Sequence, residues 1–156
     1  MGSLGTDTWD IFVYMQQADG TFKIDYDIVK FSNTNRTKWK PRLIYADFNN
    51  DGKIDLALTD GAIPNIWVML NTSIQGTISV DSYSAPLEIT TPSGGVLSLN
   101  AMDVNLDGKT DLLVGTNQAN LFLYENSSTG SETSFARSVV GTITAGKQLV
   151  TTVSAD

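Results

Sequence analysis

The chain contains no cysteine and no histidine. Without thiols it can build neither a disulfide framework nor a thiolate metal site, and cysteine usage gives no reading of the redox compartment. Without imidazole or thiol, the usual general base and the usual sulfur nucleophile are both missing, which argues against catalysis. Basic residues are scarce: 10 Lys and Arg stand against 17 Asp and Glu, a formal net charge of -7. A nucleic-acid partner needs a net basic surface to meet the phosphates, so that class is set aside. No run of about twenty apolar residues is present, which excludes insertion into a membrane as a helix. No signal peptide is read, although the opening Met1-Gly2-Ser3 resembles a vector-derived start and leaves room for a targeting segment removed from the native one.

What is present is the composition of a soluble globular domain: 156 residues, 41% hydrophobic and 17% charged, enough to bury one core. The acidic excess is concentrated in two stretches. Residues 47–56 read Asp-Phe-Asn-Asn-Asp-Gly-Lys-Ile-Asp-Leu, and residues 103–112 repeat them as Asp-Val-Asn-Leu-Asp-Gly-Lys-Thr-Asp-Leu. Oxygen-bearing side chains fall at loop positions 1, 3, 5 and 9, with Gly at 6 to permit a sharp turn, a spacing that can close around a hard cation such as calcium. The expected ligands are Asp47, Asn49, Asp51 and Asp55 in the first loop and Asp103, Asn105, Asp107 and Asp111 in the second. The backbone carbonyls of Lys53 and Lys109 fall at position 7. Three carboxylates a few ångströms apart repel unless a divalent ion neutralises them, so two Ca2+ ions are expected, offsetting about four of the negative charges. The alternative is that Asp, Asn and Gly are only turn formers; two copies agreeing at every oxygen-bearing position weigh against it.

The flanks decide what kind of loop this is. An EF-hand or dockerin loop ends in an acidic ligand at position 12, which here is Leu58 or Val114. Short apolar runs follow the last Asp, Leu-Ala-Leu-Thr at 56–59 and Leu-Leu-Val-Gly at 112–115, and these suit buried strands. The loops therefore join strand to strand.

Together, Ala46-Asp47 to Asp55-Leu56 and Met102-Asp103 to Asp111-Leu112 resemble the calcium loop of FG-GAP/VCBS repeats, the units of integrin-α-like β-propellers. The resemblance implies an all-β chain of four-stranded antiparallel blades. It says little about function, because such repeats occur in adhesion receptors, lectins and accessory domains of secreted enzymes.

Read along the chain, a strand at 9–15 and another at 21–29 flank a hairpin turn at Ala18-Asp19-Gly20. They form the outer strands of one blade (6–31). A full blade with the first loop follows (40–84), with strands at 42–46, 56–59, 66–70 and near 77–83. A second full blade (95–141) has strands at 96–102, 112–115, 121–125 and about 134–140. Residues 148–156 repeat the inner strand of a further blade. The Asn-Ile-Trp-Val-Met-Leu-Asn of 65–71 and the Asn-Leu-Phe-Leu-Tyr-Glu-Asn of 120–126 are corresponding segments. Two whole and two partial blades make a partial propeller, since closure takes at least about four blades. Open blade faces and sheet edges are liabilities. They are met if the chain is a piece of a longer propeller, the favoured reading, or if remaining blades come from another chain.

Outside the loops, four basic residues, Arg36, Lys38, Lys40 and Arg42, surround Trp39. The family resemblance places this link on the face opposite the calcium loops, where such propellers commonly bind ligands. It could hold a glycan, with Trp39 stacking on a sugar and the cations pairing with carboxylate or sulfate; the competing expectation is that Trp39 fills a gap between blades while the charges reach water. Trp9 and Trp67 are expected in the core. Asp25 and Asp27 alternate along a strand and are expected in water, not as a glycosidase pair. Sequons at Asn35, Asn71 and Asn126 would permit glycosylation in a eukaryotic secretory pathway. The functional expectation is a calcium-stabilised, secreted or extracellular binding module for a glycan or cell-surface protein, not an enzyme. Its rival is a structural propeller within a larger secreted enzyme or adhesin, with no ligand of its own.

Overall fold

The computed structural model describes residues 8–14, 16–22, 27–32, 41–61, 63–74, 78–79, 81–129 and 132–142. Among them every regular element is a β-strand, and no helix is long and apolar enough to cross a membrane.

The chain divides into two compact units, 1–36 with 71–84, and 37–70 with 85–156. In the first unit β1 (Thr8–Val13) pairs antiparallel with β2 (Asp27–Ser32). The turn between them lies where expected. Gln17 N donates to Thr21 O at 2.7 Å and Gly20 N to Gln17 O at 3.0 Å. Gly20 takes φ of 85°, the left-handed region glycine enters without penalty. The described ladder runs from Val13↔Asp27 to Thr8↔Ser32, so the second strand extends past the expected end at 29. Residues 23–26 lie outside the described set. In the same unit, Tyr83 bridges to Asn71 and Thr72 N donates to Ser82 O at 2.8 Å.

The second unit holds two four-stranded antiparallel sheets. One runs β3 (Arg42–Ala46), β4 (Asp55–Thr59), β5 (Asn65–Met69), β6 (Leu87–Thr90). The other runs β7 (Val96–Met102), β8 (Asp111–Thr116), β9 (Asn120–Asn126), β10 (Phe135–Thr142). Each is a simple meander, the strand order of a propeller blade. The fourth strand, expected near 77–83, is β6 instead, which closes the first sheet. Glu88 on β6 secures that pairing, since its carboxylate accepts from Asn65 Nδ2 at 2.6 Å and Trp67 Nε1 at 3.2 Å.

Burial follows position in the sheet. Every residue of the central strand β4 is buried, as a strand covered on both faces requires, whereas edge strand β3 is half exposed. The core lies between the two sheets: Ala57, Ile66 and Val68 from one pack with Leu99, Leu112, Val114, Phe122 and Tyr124 from the other. The first strands, β3 and β7, lie alongside each other. Burying a large apolar side chain stabilises by about 1.5–3 kcal/mol, so this shared layer is what holds blade to blade. Trp67 is buried as expected. The inner strand expected at 148–156 lies outside the described residues.

Candidate functional site: the paired acidic loops

The two acidic loops are the hairpin connections β3–β4 and β7–β8, closed by the pairs Ala46↔Asp55 and Met102↔Asp111. In the first loop, Asp47 Oδ1 accepts from Asp51 N at 3.1 Å and Oδ2 from Gly52 N at 2.7 Å. Asn49 Oδ1 accepts from the same Asp51 N at 3.2 Å, and Asp51 Oδ1 from Lys53 N at 2.9 Å. In the second loop, Asp103 accepts from Asp107 N at 3.1 Å and Gly108 N at 2.8 Å. Asn105 Oδ1 accepts from Asp107 N at 3.0 Å, and Asp107 Oδ1 from Lys109 N at 2.9 Å. The four bonds from backbone amides match one for one between the loops, and the second loop adds Asn105 Nδ2 donating to Asp107 Oδ2 at 3.2 Å. Two oxygens from positions 1 and 3 meet on one amide hydrogen, which draws the donors together.

Backbone conformation repeats as well. Gly52 and Gly108 both take φ of 83°, the reason position 6 is glycine, and position 4 is left-handed in both loops, Asn50 at 63° and Leu106 at 60°. The position-9 acids sit differently from the rest. Asp55 and Asp111 are fully buried. Asp55 Oδ2 accepts from Phe48 N at 2.8 Å, and Asp111 Oδ2 accepts from Val104 N at 2.9 Å. Hydrogen bonds to a buried carboxylate compensate its desolvation, so these two acids brace each loop from beneath.

Among the described residues no group of three or more acidic side chains is assembled into a metal cluster. A complete shell would therefore draw on the Asn49 or Asn105 amide oxygen and the backbone carbonyl of Lys53 or Lys109 along with the carboxylates. That donor set is all oxygen, the chemistry that suits a hard cation. The lysines differ between loops. Lys53 Nζ lies 3.8 Å from Asp51 Oδ2, while Lys109 Nζ donates to Ser128 O at 2.9 Å.

Of the second candidate group, Arg42 is exposed and opens β3, at the end of that strand away from the loop. Arg36, Lys38, Trp39 and Lys40 lie outside the described residues.

Sequence reasoning named Asn126 as a sequon and missed its place between the loops. Its buried side chain donates through Nδ2 to Phe48 O at 2.8 Å and Thr110 O at 2.9 Å, and its Oδ1 accepts from Ser128 N at 3.0 Å. Phe48 and Thr110 belong to different loops, so both loops stand at the same end of the paired sheets. The available signal was the Asn that ends both corresponding segments, at 71 and 126.

A pair of antiparallel propeller-type blades, each with an acidic loop between its first two strands, defines a β-propeller repeat unit. Residues 47–114, from the start of the first loop to just past the second, match the family model of the FG-GAP-like repeat. Neither curated proteins nor solved structures give a match to the chain.

Proposed function

We propose that the chain is a non-enzymatic, extracellular binding module in which each acidic loop holds one calcium ion in a structural role, and whose propeller-type surface binds a glycan or a cell-surface protein. The observation that supports the calcium reading is the repeated set of backbone-amide bonds: the same oxygens at positions 1, 3 and 5 accept from the same backbone amides in both loops. Turn formation alone does not demand that an acid, an amide and two more acids recur at fixed positions. Asp47, Asn49, Asp51 and Asp55, and Asp103, Asn105, Asp107 and Asp111, would hold the ions, with the carbonyls of Lys53 and Lys109. Calcium supplies positive charge that relieves repulsion among the carboxylates; it has no chemical step to perform. Exposed loops of this kind suit the millimolar calcium found outside cells, which supports the extracellular placement.

The test is thermal unfolding in millimolar calcium and in chelator. A site held at 100 times its dissociation constant adds about 2.7 kcal/mol. In a domain of this size, that raises Tm by about 5–10 °C. Asp51→Ala and Asp107→Ala should each remove part of the rise, and an unchanged Tm in chelator rejects the calcium reading. A glycan array probed with and without calcium then separates ligand classes. Binding to one sugar class supports the lectin-like form, and a blank array from a folded sample moves the weight to protein adhesion or a scaffold role.

A further inference from the structure

A single run of hydrogen bonds joins the buried acids of the two loops. Asp111, at the end of the second loop, accepts through Oδ1 from Asn126 N at 2.7 Å. The Asn126 side chain donates to Phe48 O at 2.8 Å. Phe48 N in turn donates to Asp55, at the end of the first loop, at 2.8 Å. One residue and one backbone unit thus separate Asp111 from Asp55. Both donor hydrogens of the Asn126 amide are engaged, the second by Thr110 O next to Asp111, and its oxygen is held by Ser128 N. Asn126 is 3% exposed and Phe48 1%, so water cannot replace these bonds at little cost. Phe48 is further fixed by its ring, which lies against Phe135 of β10. The first loop is therefore fastened through its second residue to the blade that carries the other loop.

We propose that Asn126 couples the two loops, so that a cation ordering one loop raises the affinity of the other. This rests on the calcium reading above. The reason is mechanical: an ion drawing on Asp111 fixes the Asn126 backbone, Asn126 fixes the Phe48 carbonyl, and Phe48 carries Asp55 with it. Part of the ordering that the second ion requires has then already occurred, which is positive cooperativity. Coupling of this kind is reciprocal by thermodynamic necessity. Asn126 is a positioning residue here and touches no ion itself.

The experiment is calcium titration calorimetry on the whole chain, on Asp51→Asn, which disables the first loop, and on Asp107→Asn, which disables the second. Each disabled loop should weaken the surviving one by about fivefold or more, and by equal factors in the two directions. In an Asn126→Ala background the surviving loop should bind equally whether or not the other is disabled. Equal, independent sites in the parent overturn the proposal, and so does coupling that persists in folded Asn126→Ala. If that variant does not fold, amide exchange of Phe48 in Asp51→Asn decides the matter. Slower exchange on adding calcium, which only the second loop can then bind, supports the link, and unchanged exchange overturns it. No calcium heat from the parent together with a Tm unchanged by chelator removes the calcium reading and this inference together, a result distinct from two independent sites.

Discussion

The ring of Phe48 meets that of Phe135 edge to face, with centroids 6.1 Å apart and planes inclined at 72°. Phe48 belongs to an acidic loop of one sheet and Phe135 to the outermost strand of the other, so the loop is also a packing element between blades. An edge-to-face pair adds about 0.5–1.5 kcal/mol beyond the area it buries.

Phe48→Ala should therefore be among the most costly single changes in the chain. Removing a fully buried phenylalanine costs about 3–5 kcal/mol, from lost burial and the cavity left behind. Urea unfolding of parent and variant in chelator measures this without any contribution from bound cation. A loss under about 1 kcal/mol would show that the two sheets do not depend on this contact.

Where local pattern and tertiary packing agree, the sequence was a sufficient guide. The strands expected at 42–46 and 96–102 have those limits in the structure, because each ends in a motif that forces the backbone to turn. Trp67 was placed correctly because a large aromatic in a short apolar run has few other places to go. The fourth strand of the first blade was misplaced for a physical reason. Residues 77–80 alternate polar and apolar about as well as Leu87-Glu88-Ile89-Thr90, and what selects β6 is the grip of Glu88 on Asn65 and Trp67, more than twenty residues away. The role of Asn126 was hidden for the same reason: its partner Phe48 is 78 residues distant.

The sequon at Asn126 should stay unglycosylated. Both hydrogens of its side-chain amide are donated inside the protein, and the residue is 3% exposed, so a glycan on Nδ2 would break two buried bonds and open the core. Asn71 is also buried, and its Oδ1 accepts from Ser73 N at 2.9 Å. Expression through a eukaryotic secretory pathway followed by peptide mapping by mass spectrometry should find no hexosamine on either residue in folded protein. Occupancy at Asn126 in a chain with the parent's melting temperature would contradict the structure.

Alkaline pH should weaken the fold through Tyr124. Burial pushes this phenol above its ordinary value of 10.0, and the opposing pull of the Arg137 guanidinium does not outweigh it. The folded chain then holds the phenolic proton to higher pH than the unfolded chain does. The resulting contribution is fully present below about pH 10 and is lost as pH rises through the folded value. The chain has five tyrosines, so the measurement is a difference: the urea midpoint of the parent should fall more steeply above about pH 10 than that of Tyr124→Phe. Parallel curves would rule out a perturbed Tyr124.

The fourth position of the two loops offers a matched pair of experiments. Asn50 and Leu106 both hold left-handed backbone, with φ of 63° and 60°. Asn accepts that region because its short polar side chain can bond locally, whereas Leu brings its Cβ against the following carbonyl at a cost of about 1–2 kcal/mol. Leu106 recovers nothing by burial, being 87% exposed. Leu106→Asn should therefore stabilise the chain by about 1 kcal/mol, and Asn50→Leu should destabilise it by a similar amount. In a domain of this length each change corresponds to about 2–4 °C in Tm, with opposite signs. If Leu106→Asn instead lowers Tm, the leucine makes a stabilising contact outweighing its backbone strain, and the two loops are not conformational equivalents in solution.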